Sequence, residues 1–207
     1  GRPIAVDLCM LSAVLYERLG YLPHGLAHTA FFRSRRLGAI AKGMSLVPTD
    51  EASIRAIVDR GEHLIVAPGG TREGCRSFRK RYQVDWGNRM GYLRLAVAHG
   101  LPIVPAAASG VDDVFIGLND GYRWGKRLHM PARLPAWVGI GPTGLWPLSL
   151  PFPAKIRQFL GPAIVPAERG LVDAKDKAAM SRLHSEVVAA VQGLLLRATR
   201  EQEGCSP

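Results

Sequence analysis

Apolar residues recur at helical spacing in four segments of the chain. The spacing predicts helices over residues 7–20, 51–59, 89–99 and 173–202. A glycine closes or follows each of the first three segments, which is typical of a helix C-terminus because glycine adopts the left-handed conformation there at little cost. Thr49 or Asp50 is predicted to cap the second helix and Asn88 the third, since short polar side chains accept hydrogen bonds from the free N–H groups at a helix start.

Two compact apolar runs, residues 63–67 and 101–108, lie between the helical segments. Runs of this length predict buried strands. The alternation of strand, loop, helix and strand is typical of an α/β domain, so we expect a mostly parallel sheet flanked by helices, in a single domain over residues 1–207. In such sheets ligands bind at the carboxyl ends of the strands, which directs attention to the loop after residue 67.

Residues 134–153 contain no charged side chain. A run of this length would suit a transmembrane helix, but five prolines and three glycines lie in it, and a helix interior does not tolerate that density. Two interpretations remain open. The segment lies at a bilayer interface or lines an acyl-chain groove, for which Trp137 and Trp146 are well suited, or it is a proline-rich loop packed on the core.

Composition narrows the class of partner. The chain has 207 residues, of which 47% are hydrophobic, and its formal net charge is +10. The apolar content suits a globular fold with a sizeable core. The excess of Lys and Arg favours an anionic partner, which charge alone leaves open as nucleic acid, a phosphate-rich ligand or an anionic bilayer. The sequence holds no recognisable nucleic-acid-binding motif, so we expect no nucleic acid.

Cysteine and histidine patterns predict neither a disulfide framework nor a metal site. The chain has three cysteines at wide spacings and no C-x-x-C, so we expect free thiols, as is typical of the reducing side of a membrane. His24 and His28 have the i,i+4 spacing of metal ligands, but they lack a clear third ligand and the glutamate of an H-E-x-x-H motif.

The loop after the first predicted strand has the composition of an anion site. Pro68-Gly69-Gly70-Thr71-Arg72-Glu73 combines two glycines, which let a backbone approach a ligand and expose its N–H groups, with an arginine that offers a forked donor to phosphate. Arg89 is placed to face the same anionic group. The block is not a P-loop, because no Gly-Lys-Ser/Thr follows. A simple tight turn and a solvated basic helix start are the alternatives.

These blocks, taken in order, resemble the glycerolipid and lysophospholipid acyltransferase superfamily. The ordered set covers about residues 1–165 and consists of Asp7 before an apolar helix, an aromatic and basic segment, the Pro68–Glu73 block and the Leu101-Pro102-Ile103-Val104-Pro105 run; the second of these contains Phe31, Phe32, Arg33 and Arg36. The resemblance implies an acyltransferase-type core over residues 1–165, with residues 173–202 as an additional C-terminal helix.

Two positions set this chain apart from the phosphatidate-forming branch. That branch carries Pro-Glu-Gly-Thr-Arg, whereas here Gly69 replaces the glutamate and Glu73 follows the arginine. The Gly-Gly-x-Arg-Glu form is more similar to the neutral-lipid branch related to diacylglycerol acyltransferases. The motif histidine is not visible either, and we expect it just before Gly1, with His24 as an alternative base.

The resemblance implies a membrane-associated O-acyltransferase on the cytoplasmic face, with a glycerolipid or lysophospholipid as acceptor. Acyl-CoA or acyl carrier protein serves as co-substrate, and no cofactor is implied. The histidine would act as general base and Asp7 would orient it. Gly69, Gly70, Thr71, Arg72, Glu73 and Arg89 would bind substrate, the glycine N–H groups at the oxyanion and the arginines at a phosphate. A catalytically inactive lipid-binding protein is the alternative function.

Overall fold

The computed structural model describes residues 2, 5–27, 32, 35–130 and 135–203. The contacts of the chain group into two compact units. One unit comprises residues 8–67, and the other comprises residues 1–7 together with residues 68–207. Each unit is described by itself.

The unit of residues 8–67 holds a three-stranded parallel sheet. Its helices are α1 (Val6–Leu19, which begins two residues before the unit), α2 (Arg35–Gly43) and α3 (Glu51–Asp59), and its strands are β1 (His24–Ala27), β2 (Leu46–Pro48) and β3 (Leu64–Ile65). The strand order is β2-β1-β3, and both pairs run parallel. A helix therefore connects each strand to the next, as parallel pairing requires.

Helix α3 follows the sequence prediction closely. Asp50 is its N-cap and accepts a hydrogen bond from the Ser53 N–H at 2.9 Å, and Gly61, two residues after the helix, has a φ of +68°. Ile54 and Ile57 lie on the buried face. Helix α1 confirms the prediction for residues 7–20, and Gly20 after it also has a positive φ.

The second unit has antiparallel strand pairing and contains the longest described helix, Lys177–Glu203. Its helices are α4 (Gly70–Gly74), α5 (Gly91–Ala98), α6 (Gly121–Arg127) and α7 (Lys177–Glu203), and its strands are β4 (Ala106–Ser109), β5 (Ile116–Gly117), β6 (Gly139–Gly141), β7 (Gly144–Leu145) and β8 (Arg157–Leu160). β4 pairs with β8, and β5, β6 and β7 form a separate sheet in that order.

The largest core of this unit lies under α7. Asp176 accepts hydrogen bonds from the N–H groups of Ala178 and Ala179 and so starts the helix. The apolar stripe that predicts a helix over residues 173–202 packs against α5 and its surroundings; the buried residues of this core are Trp86, Leu93, Ile164, Leu171, Ala179, Met180, Leu183, Val187 and Val191. The helix predicted over residues 173–202 is confirmed as α7.

A second, smaller core lies against the sheet of β5, β6 and β7. Its buried residues are Cys75, Val114, Phe115 and Trp137, with Trp146 packed at its border. Gly117 and Gly139 face the Trp137 side chain so closely that a Cβ on either would come within 3.0 Å of it. Glycine is therefore required where the sheet meets the indole ring.

The mixed α/β fold predicted from the sequence is confirmed, and the parallel arrangement holds in the sheet of β1, β2 and β3. The remaining strands pair antiparallel. Strands β6 and β7 are joined by two residues, and a connection of that length permits only antiparallel pairing. The predicted cap of the third helix is wrong: α5 begins at Gly91 after Met90, and Asn88 lies before that turn, its backbone oxygen accepting from the Met90 N–H.

Candidate functional site

The predicted loop of residues 68–73, called here the site loop, is shaped by Glu73. The Glu73 carboxylate accepts hydrogen bonds from the Asp85 N–H and the Trp86 indole N–H, both at 3.0 Å. It packs directly against Gly69, where an added Cβ would lie under 3.0 Å from three heavy atoms of the Glu73 side chain. Gly69 and Glu73 thus form a matched pair, because the Glu73 side chain occupies the space that a side chain at position 69 would need.

Arg89 holds the site loop from the other side. Its Nη1 donates to the Gly69 carbonyl oxygen and lies 3.4 Å from that of Pro68. Its guanidinium also stacks over the Tyr122 ring, 5.7 Å from the centroid. Arg89 therefore fixes the direction of the loop carbonyls, and its described contacts are with the protein backbone and an aromatic ring.

Arg72 presents a half-exposed guanidinium. Its Nε and Nη2 bind the two oxygens of Asp85 at 3.0 and 2.7 Å, a bidentate ion pair. The two side chains are 39% and 47% exposed, so water screens their attraction and the pair contributes about 0–1 kcal/mol. Gly87 lies beside the guanidinium, because a Cβ there would approach Arg72 Nη1 to 2.8 Å. An anionic ligand can compete with Asp85 for this arginine at little cost.

A buried charge network lies behind the site loop, and sequence reasoning missed it. Arg2 is fully buried and donates to the backbone oxygens of Asp112 and Arg76, at 2.6–3.0 Å and 2.9 Å respectively. The Arg76 guanidinium binds the Asp112 carboxylate at 2.5 Å and lies 3.8 Å from Glu73. Arg2 is therefore a core residue held by backbone oxygens from two distant segments.

Burial and neighbouring charges shift the pKa values of the groups in this network. Burial by itself would raise the pKa of the Asp112 carboxyl, but the positive charge of the amino terminus at Gly1, Arg76, the Tyr82 N–H and Arg2 together outweigh burial and hold that pKa below its usual range. Burial lowers the pKa of the Arg2 guanidinium. No sequence pattern identifies this network, because its members are separated by 36 to 110 positions.

Asp7 lies at the start of α1, beside the pair of β4 and β8. Its backbone oxygen accepts a hydrogen bond from Gln158 Nε2 at 2.6 Å, and Gln158 is the β8 partner of Ala108.

The contacts described above join Gly69, Arg72, Glu73 and Arg89 through their shared neighbours. Gly70 and Thr71 lie in the first turn of α4, so the whole predicted block belongs to one segment of the unit.

His24, the alternative base, belongs to a satisfied hydrogen-bond network in the other unit. Its Nε2 lies 2.9 Å from Glu62 and its Nδ1 lies 3.0 Å from Ser45 Oγ. His28, Phe31 and Arg33 lie outside the described residues, as does the side chain of Arg36. Within the described part of the chain, no group of His, Cys, Asp and Glu side chains is arranged to hold a metal ion.

Within the uncharged segment, residues 135–153 contribute both buried and exposed side chains. Trp137 is buried and donates its indole N–H to the Arg76 carbonyl at 3.1 Å, which makes it a core residue. Leu145 and Leu148 are exposed, the latter at 93%. Across the described residues, no helix has both the length and the hydropathy that a bilayer crossing needs.

Comparison with known proteins identifies the family. The model of the family described as diacylglycerol acyltransferase matches residues 5–146, well over half of the chain. The chain belongs to this family. Membership confirms the neutral-lipid branch that Gly69 and Glu73 indicate, and it supports an acyltransferase acting in lipid metabolism.

Curated relatives agree with the family. The chain is 28% identical over 200 residues to the "DGAT1/2-independent enzyme synthesizing storage lipids" of Gallus gallus, covering 94% of this chain and 56% of that protein. It is 33% identical over 108 residues to the protein of the same name from Mus musculus, covering 52% of this chain and 30% of that protein. Phytyl ester synthase 1, chloroplastic, of Arabidopsis thaliana is 23% identical over 117 residues, covering 54% of this chain and 17% of that protein.

The chain thus spans little more than half the length of the chicken protein and less of the other two. No solved structure matches it.

Proposed function

We propose that this acyltransferase moves a fatty acyl group from a thioester donor, acyl-CoA or acyl carrier protein, to the hydroxyl group of a neutral glycerolipid. Family membership supports the reaction class. The observation that carries the proposal is the site loop, in which Glu73 and Arg89 fix the backbone while the Arg72 guanidinium remains half exposed. Both kinds of donor carry a phosphate-containing arm, and an exposed forked arginine suits a phosphate.

Arg72 and Arg89 differ in their proposed roles. A phosphate of the donor displaces Asp85 from Arg72 or binds the N–H groups that Asp85 leaves free, since a guanidinium has five and the ion pair uses two. Arg89 already donates to the Gly69 carbonyl, so it positions the loop rather than the phosphate. The N–H groups of Gly69 and Gly70 stabilise the oxyanion that forms when the acceptor hydroxyl attacks the thioester carbonyl.

The acceptor hydroxyl needs a base to become a nucleophile. We assign that role to the histidine that the family resemblance implies, with Asp7 holding its tautomer and stabilising its protonated form. The acceptor alkoxide forms the ester bond, the thiolate of the donor leaves, and the histidine returns its proton to that sulfur. This chemistry requires no metal and no redox cofactor.

We further propose that the protein works at the cytoplasmic face of a membrane. Its acyl chains and its glycerolipid acceptor partition into bilayers, so the enzyme must meet them at a bilayer surface. The net charge of +10 suits the negative potential of the cytoplasmic leaflet.

An acyl-transfer assay tests the reaction. The protein is expressed from its natural start, so that any residue preceding Gly1 is included, and receives labelled long-chain acyl-CoA with diacylglycerol, monoacylglycerol, lysophosphatidate or a long-chain alcohol. We expect ester formation on a neutral acceptor. Asp7→Asn should lower kcat at unchanged donor affinity, because Asp7 acts on the base.

Arg72→Gln should raise the KM for the donor, and Arg79→Gln, an exposed arginine on the neighbouring 3-10 turn, is the matched control. The absence of transfer to every acceptor, with folding intact, would favour a lipid-binding protein without activity and would overturn the proposal. Turnover and donor affinity that do not change in Arg72→Gln would remove that residue from the donor site.

A further inference from the structure

The sheet of β5, β6 and β7 has one face of glycine and one face of aliphatic side chains. Residues directly opposite in antiparallel strands point to the same side of a sheet. Gly117 pairs with Gly139, and this face packs on Trp137. Ile116 pairs with Ile140 and Ile140 with Leu145, so these three side chains line up across the other face.

The aliphatic face is exposed and extends beyond the strands. The Leu118 N–H donates to the Val138 carbonyl at 2.9 Å, which continues the ladder by one more pair. We call Ile116, Leu118, Val138, Ile140 and Leu145 together the apolar sheet face. Ile140 is half-buried and the other four are exposed, Leu145 at 56%. Leu148, whose N–H binds the Leu145 carbonyl at 3.0 Å, adds another exposed aliphatic side chain at its edge.

Basic side chains lie on α6, which begins close to one end of this sheet. The helix begins three residues after Leu118, and its first residue accepts a hydrogen bond from the Ala136 N–H at 2.9 Å, two positions before Val138. Arg123, Lys126 and Arg127 are exposed, and the helix sequence contains no acidic residue. Trp124 lies among them with 52% of its surface exposed. Asp120 precedes the helix, and Lys80 pairs with it at 2.9 Å.

We propose that the apolar sheet face, together with Leu148 and α6, is the surface by which this protein docks on an anionic lipid bilayer. Aliphatic side chains flanked by arginine, lysine and tryptophan match the layered chemistry of such a surface, where the acyl boundary lies beneath anionic headgroups. Tryptophan concentrates at that boundary. Lysine, which α6 contributes to this surface, is depleted at protein–protein interfaces.

Docking by this surface would place the site loop near the lipid. Tyr122 of α6 stacks beneath Arg89, and Arg89 holds the Gly69 carbonyl. The Gly121 N–H also donates to the Cys75 carbonyl at 2.8 Å, immediately after α4. The inference rests on the proposed function for its purpose, because docking would deliver the acceptor and the acyl chain to the site loop. Its physical test, vesicle binding, is independent of turnover.

Vesicle binding by the 207-residue chain tests the surface. Co-sedimentation is measured with vesicles of phosphatidylcholine alone and with added phosphatidylglycerol. We expect the wild-type chain to prefer the anionic vesicles and Leu148→Glu to weaken binding to them by about tenfold or more, because a charge replaces a side chain that would enter the acyl boundary. The matched control is Val172→Glu, which makes the same change in charge at a side chain 77% exposed in the same unit and outside the surface.

A charge variant tests α6 separately. Replacing Arg123, Lys126 and Arg127 with glutamine should reduce affinity for anionic vesicles by about fivefold per residue and remove most of its salt dependence. Trp124 emission should shift to the blue on binding, and the shift should be missing in Trp124→Phe. Equal binding by wild type, Leu148→Glu and the charge variant would overturn the proposal. So would a wild-type chain that binds no vesicles and instead forms a dimer that Leu148→Glu dissociates.

Activity measured in detergent micelles separates this inference from the proposed function. Leu148→Glu should keep wild-type turnover when donor and acceptor are dispersed in detergent, and lose it when they are presented in vesicles. If the wild type binds vesicles through this surface and transfers no acyl group, the docking inference holds and the proposed function fails. If transfer occurs while Leu148→Glu binds vesicles as tightly as wild type, the docking inference fails and the function stands.

Discussion

The pairing of Gly69 with Glu73 makes a quantitative prediction about stability. Gly69 has φ −66° and ψ −33°, a conformation that alanine adopts freely, so a Gly69→Ala change introduces no backbone strain. The added Cβ would instead lie under 3.0 Å from the Glu73 side chain, which must move. Movement breaks the hydrogen bonds from Asp85 and Trp86 to a mostly buried carboxylate. Two bonds to a charged acceptor are worth roughly 3 kcal/mol or more, which we take as the expected loss.

Urea unfolding followed by tryptophan fluorescence measures this loss. All four tryptophans lie within residues 68–207, and Trp86 itself contacts Glu73, so the signal reports the unit that carries the site. Gly91→Ala is the control. It lies at the first position of α5 with no neighbouring atom within 4 Å of the new Cβ, and alanine there should be neutral or up to about 1 kcal/mol stabilising.

A double-mutant cycle tests the cause. Glu73→Ala loses the same two hydrogen bonds, so the double variant should cost much less than the sum of the two single changes. Strictly additive costs would show that Gly69 and Glu73 act independently. A Gly69→Ala protein as stable as wild type would refute the steric reasoning altogether.

Two further outcomes follow from buried ionisable groups. Asp112→Asn should lower the free energy of unfolding by about 3 kcal/mol at pH 7, because it removes the nearer counter-charge of the buried Arg76 and leaves only Glu73, at 3.8 Å. The folded pKa of Asp112 is depressed, so its contribution to the free energy of unfolding is present above the unfolded pKa of about 4 and is lost as pH falls further. Wild type should therefore lose stability in acid more steeply than Asp112→Asn. Parallel curves of stability against pH for the two proteins would contradict this. Burial raises the pKa of the Cys75 thiol to about 11. At pH 8 a thiol reagent should therefore modify the exposed Cys9 well before Cys75, as followed by peptide mapping. Equal rates of modification would count against the buried position of Cys75.

Local patterns predict the local parts of the structure well. Helices α1, α3 and α7 follow from apolar spacing, and the ends of α1 and α3 also follow from glycine or polar signals that act within a few residues. The third predicted helix is present but begins later than residue 89, because the chain makes a turn from Asn88 to Met90 before α5. Boundaries depend on such turns, and spacing alone does not resolve them.

The site loop likewise combines features that the sequence predicts with contacts that it does not predict. Its glycines, its arginine and its place after a predicted strand can all be read from the sequence, as can the family resemblance that the family model then confirms for the neutral-lipid branch. The contacts that individual side chains make cannot be read from the sequence. Arg89 contacts loop carbonyls and Glu73 contacts Asp85 and Trp86, and these partners are 12 to 21 positions away.

The sequence by itself therefore determined the class of fold, most helices and the segment that carries the candidate chemistry, because periodicity, capping and glycine placement act over short distances. The tertiary structure alone decided the antiparallel pairing of β4 with β8 and of β5 with β6, and the buried network of Arg2, Arg76 and Asp112. Each depends on contacts between residues far apart in the chain, and a linear pattern carries no information about which distant partner a side chain meets.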